Sequence, residues 1–165
     1  MARIRDDERE DLRVADHIVG FFHGGVSVSD LDRSLTFYRD LLGLRVEAQR
    51  DATDDYLRQA HRLPFSTVRM AFLSVPNSTA MIELLEYQGV ATNKPSYIPP
   101  DPGTGHICLL VDDIQALFQR LSSSGYPARS AQPVEITAGP NKGSWVIYFE
   151  DPDGYPVEFI QRPRL

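Results

Sequence analysis

Hydrophobic and polar residues alternate along two stretches of the chain that resemble each other. The first, Phe22–Val28, reads FHGGVSV, and the second, Gly105–Val111, reads GHICLLV. Such alternation is typical of a β-strand with one face packed in a core. His23 and His106 stand at equivalent positions near the starts of the two stretches. An acidic residue and a helical pattern follow each stretch, so we expect one structural unit to occur twice.

The pattern after the first strand predicts a helix and then three more strands. Apolar residues recur at helical spacing from Leu31 to Leu42, and Gly43 ends the stripe. Further strands are predicted over residues 44–48, 68–75 and 80–87, with a short helix over 56–62. The first unit is therefore a β-α-β-β-β module.

The second unit follows the same plan. The predicted elements are a strand over residues 105–111, a helix over 114–124, a short strand over 128–130, and strands over 145–149 and 156–161. We predict an α+β fold with a single domain at 16–165, divided into module one (16–87), a Pro- and Gly-rich linker (88–104) and module two (105–162). Residues 1–15, which are dense in charge, are expected to extend outside the core.

The strands that close the two modules carry a second repeated phrase. Glu83-Leu84-Leu85-Glu86 resembles Glu158-Phe159-Ile160-Gln161, and the hairpins that lead to the two phrases have matching 11-residue spacings, Phe72 to Glu83 and Ile147 to Glu158. Matched register predicts that Glu83 and Glu158 lie on equivalent faces of their sheets.

The predicted sheets place four metal-binding side chains on comparable faces. Each sheet has a helix on one face and needs cover on the other, so the two sheets can curl around a cleft. His23, Glu83, His106 and Glu158 are expected to line this cleft. Two imidazoles and two carboxylates suit a divalent transition metal such as Ni, Zn, Co, Mn or Fe(II). Four protein ligands on an octahedral ion would leave two positions for water or a chelating substrate.

Other polar residues are interpreted as structural. Glu86 lies three residues after Glu83, so it should face the opposite side and meet solvent. His17 and His61 fall outside the repeat. Cys108 is expected to be a small buried side chain, and the segment 151–154, DPDG, a hairpin turn rather than a calcium loop.

Composition limits the classes of partner. The 165-residue chain has a formal net charge of −6 and no basic run, which argues against nucleic acid or an anionic membrane. No apolar stretch approaches the roughly 20 residues that span a bilayer. The N-terminal residues lack an apolar signal core and Cys108 is the only cysteine, so a cytoplasmic protein is expected.

Four phrases resemble the vicinal oxygen chelate superfamily, which holds glyoxalase I, methylmalonyl-CoA epimerase, extradiol dioxygenases and bleomycin resistance proteins. They are HGGVSVSDLDRSLTFYRDLLGLRV, ELLEY, GHICLLVDDI and YFEDPDGYPVEFIQ. The resemblance implies paired βαβββ modules around a metal-binding cleft. It also implies first-strand ligands at His23 and His106 and last-strand ligands at Glu83 and Glu158.

The full ligand set is most similar to those of glyoxalase I and the epimerase group. That similarity implies a metal-dependent lyase or isomerase in which Glu158 or Glu83 moves a proton next to a carbonyl through an enediolate. The substrate would be a small carbonyl compound or its thiol conjugate, and a homodimer is expected. Two alternatives remain: a binding protein that sequesters an antibiotic or aromatic ligand, and an Fe(II) extradiol-type dioxygenase.

Overall fold

Two four-stranded mixed sheets of the same topology form the chain. The computed structural model describes residues 18–93, 96–97 and 99–163. Module one contains β1 (His23–Ser27), α1 (α-helical over Leu31–Leu35 and π-helical over Thr36–Leu41), β2 (Arg45–Ala52), α2 (Asp55–His61), β3 (Thr67–Ser74) and β4 (Met81–Gln88). Module two contains β5 (Ile107–Leu110), α3 (Ile114–Ser123), β6 (Val134–Glu135), β7 (Trp145–Glu150) and β8 (Pro156–Gln161).

The strand orders are β1-β4-β3-β2 and β5-β8-β7-β6, so the first strand of each module lies beside the last. These neighbours are parallel, whereas the remaining pairs are antiparallel. The predicted α+β class with two βαβββ modules is confirmed. The N-terminal extension and His17 lie outside the described residues.

The edge of the second sheet differs from the prediction. Residues 128–130 do not form a strand; Ala128 makes one isolated bridge to Phe149, and the edge strand is β6 instead. Pro127 has no backbone N–H to donate, and the following residues lack apolar alternation, so pairing with β7 does not extend there.

The two main helices begin and end in the same way. Asp30 accepts a hydrogen bond from Arg33 N, and Asp113 accepts one from Ala116 N, as N-cap residues do. Gly43 (φ 75°) and Gly125 (φ 84°) follow the helices in the left-handed conformation that glycine adopts without steric cost. The predicted helix limits of both modules therefore have a physical basis.

The repeated closing phrase also anchors these helices. Glu86 Oε2 accepts a hydrogen bond from Leu31 N at 2.9 Å, and Gln161 Oε1 accepts one from Ile114 N at 2.8 Å. Glu86 also pairs with Arg69 at 3.0 Å. The expectation that Glu86 meets solvent was wrong: it does face away from Glu83, but an N–H at the start of α1 needs an acceptor there.

The helix-covered faces of both modules join in one hydrophobic core. Val26 and Val28 pack there, as the alternation predicted. Buried side chains from both modules share this core: Leu31, Leu35, Phe37, Tyr38, Leu73, Leu84, Leu109, Ile114, Leu117, Leu121, Ile147, Phe149 and Phe159. Because the helices lie between the sheets, the opposite sheet faces point away from the core.

A buried polar contact joins the modules inside this core. The Tyr38 hydroxyl donates to Asp151 Oδ2 at 3.0 Å. Asp151, 3% exposed, also accepts from the backbone N–H groups of Asp153 and Tyr155 at Oδ1. Burial, followed by the Asp151 charge, raises the pKa of Tyr38 well above its usual value. Asp151 thus holds its own hairpin turn, as predicted for residues 151–154, and binds α1 of the other module.

No helix in the described part of the chain is long and apolar enough to cross a membrane.

We expect Tyr38→Phe to lower the free energy of unfolding by about 1–3 kcal/mol, because a buried carboxylate loses one of its donors. Urea denaturation measures the change. Tyr56→Phe is the control: Tyr56 is 60% exposed, so its loss should cost less than about 0.5 kcal/mol. Equal effects of the two substitutions would contradict a structural role for the Tyr38–Asp151 contact.

Candidate functional site

The first candidate pair lies on the open face of the first sheet. His23 Nε2 is 3.1 Å from Glu83 Oε2. The pair forms because β1 runs parallel to β4 with Gly25 opposite Glu83. A Cβ atom at Gly25 would lie 3.7 Å from Glu83 Oε2, so glycine leaves space beside this carboxylate. His23 Nδ1 is buried and has no hydrogen-bond partner among the described residues, which leaves Nε2 to make the polar contact.

The second candidate pair occupies the equivalent place in module two. His106 Nε2 is 3.0 Å from Glu158 Oε2, and the Glu158 side chain is only 14% exposed. Cys108 is opposite Glu158 in the parallel register, where module one has Gly25 opposite Glu83. The two pairs are thus built by the same register in two copies of the module.

Two further side chains, Cys108 and Tyr148, lie opposite Glu158 on the neighbouring strands. Partial burial, followed by Glu158, raises the pKa of the Cys108 thiol and of the Tyr148 hydroxyl to about 12 each. Both groups therefore remain protonated near neutral pH and can donate to the carboxylate. The expectation that Cys108 is a buried apolar side chain was wrong, since the residue is exposed on the open face.

An aromatic ring supports each imidazole. Phe72 packs edge-on to His23 with ring centroids 5.4 Å apart, and Tyr148 packs on His106 at the same distance. Phe72 is the cross-strand partner of Glu83, and Tyr148 is that of Glu158. The predicted equivalence of Phe72 and Ile147 was therefore off by one residue, because the second hairpin is one residue shorter between its paired positions.

The structure brings the four predicted ligands together as two separate pairs. Within the described ranges, no group of three or more His, Cys, Asp or Glu side chains is placed to hold a metal ion. The reason lies in the shared core: the modules join through their helix-covered faces, so each pair is on a face turned away from the other module.

Each pair has the spacing of two neighbouring metal ligands. Adjacent ligands of an octahedral ion with bonds of about 2.1 Å lie about 3.0 Å apart. The two Nε2–Oε2 distances are 3.1 and 3.0 Å. Each pair therefore fits two adjacent positions around a divalent ion, and two pairs would supply four.

One cavity lies beside the second pair, and another lies at the far end of the first sheet from the first pair. One of about 540 Å³ adjoins the second pair and is lined in part by His106, Tyr148 and Arg129. The other, of about 590 Å³, is lined in part by Ser27 and Tyr87, at the far ends of β1 and β4 from the first pair. Both volumes are in the range that small-molecule sites occupy.

Sequence reasoning missed several residues around these cavities. Arg129 follows a segment without strand pattern, so its place beside His106 had no signal. His61, interpreted as structural, shares a 2.6 Å hydrogen bond with the Tyr87 hydroxyl. Tyr87 could have been found, because it is an even number of residues after Glu83 in the same strand.

Comparisons with known proteins agree with the fold. Residues 15–159 match the family model described as the Glyoxalase/Bleomycin resistance protein/Dioxygenase superfamily. The chain is 40% identical over 145 residues to the lactoylglutathione lyase of Haemophilus influenzae, covering 84% of this chain and 90% of that protein.

Solved structures show the same architecture. A glyoxalase family protein from Bacillus cereus superposes with a TM-score of 0.75 over 92% of this chain and 99% of that one; at 18% identity this likeness is one of fold. The trypanothione-dependent glyoxalase I of Leishmania major superposes with a TM-score of 0.60 and 26% identity, covering 86% of each chain. The chain belongs to the Glyoxalase/Bleomycin resistance protein/Dioxygenase superfamily, as the resemblance of its phrases predicted.

Cys108 is expected to react slowly with thiol reagents despite its exposure. Its pKa of about 12 leaves little thiolate at pH 8. Labelling by a disulfide reagent at pH 8 should be at least roughly tenfold slower in the folded protein than in urea, and should accelerate as the pH rises.

Glu158→Gln should speed the labelling of Cys108, because it removes the charge that disfavours the thiolate. Glu83→Gln removes a carboxylate from the other pair and is the matched control, with no expected change. A rate that Glu158→Gln leaves unaltered would contradict the contact between Glu158 and Cys108.

Proposed function

We propose that this protein is a divalent-metal-dependent lyase or isomerase that transfers a proton next to a carbonyl. The observation that carries the proposal is the occurrence of two His–Glu pairs, each with the spacing of adjacent metal ligands. Its relative from Haemophilus influenzae, named a lactoylglutathione lyase, supports the reaction class. The proposed substrate is a small carbonyl compound or its thiol conjugate.

His23, Glu83, His106 and Glu158 would hold the metal. When bound, a divalent cation stabilises negative charge that develops on the oxygens of a carbonyl substrate. Nickel, zinc, cobalt, manganese and Fe(II) all suit two imidazoles and two carboxylates.

We further propose that the site is completed between two copies of the chain. The first pair of one copy would meet the second pair of its partner, and a two-fold axis would generate two identical sites. Exposed apolar side chains beside the pairs support such an interface: Phe22 (61% exposed) packs on His23, and Leu110 (62% exposed) shares a strand face with Cys108. A homodimer would cover the open sheet faces that the fold leaves toward solvent.

Glu158 or Glu83 would act as the base. The carboxylate would take the proton from the substrate carbon within hydrogen-bond reach and return it to the neighbouring carbon. Tyr148 and Cys108, the cross-strand neighbours of Glu158, would orient it by donating hydrogen bonds. The space beside Gly25 leaves Glu83 accessible to a substrate carbon. Each carboxylate thus has one structural feature in favour of the role.

A second candidate function is ligand sequestration without turnover, as in the bleomycin resistance proteins named in the family description. The observation that favours it is the presence of two sizeable cavities in a chain that keeps its metal-binding pairs apart. Metal content separates the two candidates.

Purified wild-type protein is expected to hold about one divalent ion per chain, and His106→Ala and Glu83→Ala are each expected to lose it. The reason is that each substitution removes one of four ligands. Elemental analysis after incubation with Ni, Co, Zn, Mn and Fe(II) measures the content.

His61→Ala is the matched control, since it removes an imidazole outside the four ligands and should keep the metal. A wild type that stays metal-free with every ion would overturn the catalytic proposal and favour sequestration. Iron as the bound metal, with oxygen consumption, would favour the dioxygenase alternative instead.

A mixture of two inactive variants is expected to regain activity if the site is shared between copies. His23→Ala damages the first pair and His106→Ala the second. In a mixed dimer, one site would carry both substitutions and the other neither. Unfolding and refolding the variants together should therefore restore about a quarter of wild-type activity, because about half of the dimers are mixed and each keeps one intact site.

The control for this experiment is a mixture of His23→Ala with Glu83→Ala. Both variants are damaged in the first pair, so their mixed dimers contain no intact site and should stay inactive. Recovery in neither mixture, although wild-type protein refolds with full activity, would contradict a site shared between copies.

A further inference from the structure

We propose that the 590 Å³ cavity, here called the tail cavity, binds an uncharged, partly apolar tail of the substrate. The inference rests on the proposed function for the reacting end of the substrate, while the chemistry of the cavity is its own evidence. The described residues that line it come from β1, the start of α1, the end of β4, the linker and the turn before β8: Ser27, Val28, Ser29, Arg33, Leu63, Tyr87, Val90, Ala91, Thr92, Asn93, Tyr97, Pro152 and Asp153.

Two side chains that line the tail cavity, Ser27 and Tyr87, lie on the same strand faces as the first His–Glu pair. Ser27 is four residues after His23 in β1, and Tyr87 is four residues after Glu83 in β4. Because alternate residues of a strand share a face, these side chains lie beyond the pair on its own side of the sheet. Four residues span about 13 Å along a strand. A substrate bound at the pair reaches the cavity only through a tail of comparable length.

One wall of the tail cavity is packed against neighbouring side chains. The Tyr87 hydroxyl shares a 2.6 Å hydrogen bond with His61, which fixes the tyrosine ring. Phe65 packs edge-on to the same ring at 5.5 Å, and Val90 joins the cluster around Phe65. This second cluster lies under α2 on the open face of the first sheet, so the cavity wall is built before any ligand binds.

The charges around the tail cavity cancel. Arg33 is the sole cation among the described lining residues, and its Nη2 lies 2.5 Å from Asp153 Oδ1. Asp153 also accepts hydrogen bonds from the N–H and hydroxyl of Ser29. Among the residues that the structure describes, the lining therefore offers no uncompensated cation to a carboxylate or phosphate.

The remaining groups of the lining set the class of ligand. Val28, Leu63 and Val90 are apolar, and Ser27, Thr92 and Asn93 offer neutral hydrogen-bonding groups. An aromatic or aliphatic group with neutral polar substituents matches this surface. A tail with several carboxylates would lose hydration without gaining a partner. The cavity thus points to conjugates of uncharged thiols in preference to conjugates of acidic peptides.

Equilibrium binding tests the tail cavity apart from turnover. The probes are the lactoyl thioester of 6-phenylhexanethiol, whose uncharged, apolar tail is long enough to reach the cavity, and the lactoyl thioester of glutathione, whose tail carries two carboxylates. We expect metal-free wild-type protein to bind the phenylhexyl thioester at least tenfold more tightly in calorimetry. Glutathione thioester binding that is equal or tighter would overturn the proposal.

A cation placed in the tail cavity should change this preference. Ser27 is exposed on the cavity face, so Ser27→Arg should reduce the preference for the phenylhexyl thioester at least fivefold. Ser122→Arg adds the same charge on the outer side of α3 and should leave the preference unchanged. If Ser27→Arg fails to fold by circular dichroism, Thr92→Arg places the cation from the exposed linker side instead. An unchanged preference in the folded cavity variant would overturn the proposal.

Turnover by metal-loaded protein separates this inference from the proposed function. The hemithioacetals of methylglyoxal with 6-phenylhexanethiol and with glutathione are the substrates. No turnover of either, together with tight binding of the phenylhexyl thioester, would overturn the proposed reaction and leave the cavity assignment standing. Turnover of both substrates with equal kcat/KM, together with equal affinity for the two thioesters, would support the proposed reaction and overturn the cavity assignment.

Discussion

The hydrogen bond from Tyr38 to Asp151 constrains how the two modules pack together, and the rest of the structure depends on that packing. It joins the helix of module one to the last hairpin turn of module two inside the common core. A buried carboxylate with its donors in place tolerates little relative movement of the two modules, because any lost donor leaves charge without compensation. The open sheet faces, and with them both His–Glu pairs, must then point outward.

Much of the fold could be predicted because a strand encodes which side of a sheet each residue occupies. The alternation around His23 and His106 placed Val26 and Val28 in the core and the imidazoles on the other face. Within each module, the partnership of a first-strand His with a last-strand Glu needs only local pairing of adjacent strands. These features depend on short-range patterns, and the repeat supplied each pattern twice.

The arrangement of the modules could not be predicted in the same way. Alternation defines two faces for each sheet but does not say which faces meet, so a cleft within one chain was an equally consistent expectation. The tail cavity could not be predicted for a related reason. Its lining residues, among them Ser27, Leu63, Tyr87 and Asp153, are far apart in the chain and share no motif. The offset between Phe72 and Tyr148 arose from a one-residue difference in hairpin length, which periodicity does not reveal.

The hydrogen bonds from Leu31 to Glu86 and from Ile114 to Gln161 have a consequence for how this module diversifies. One side of each closing strand presents a glutamate of a His–Glu pair, Glu83 or Glu158, and the other side presents, three positions later, the acceptor for the start of a helix. Sliding the strand by one residue would exchange the two sides, and sliding it by two would separate the acceptor from its N–H by roughly 7 Å. The helix contact therefore fixes the position of Glu83 or Glu158 along the sheet. Substitutions elsewhere on the open face can accumulate, and alter which molecule is recognised, without displacing this glutamate.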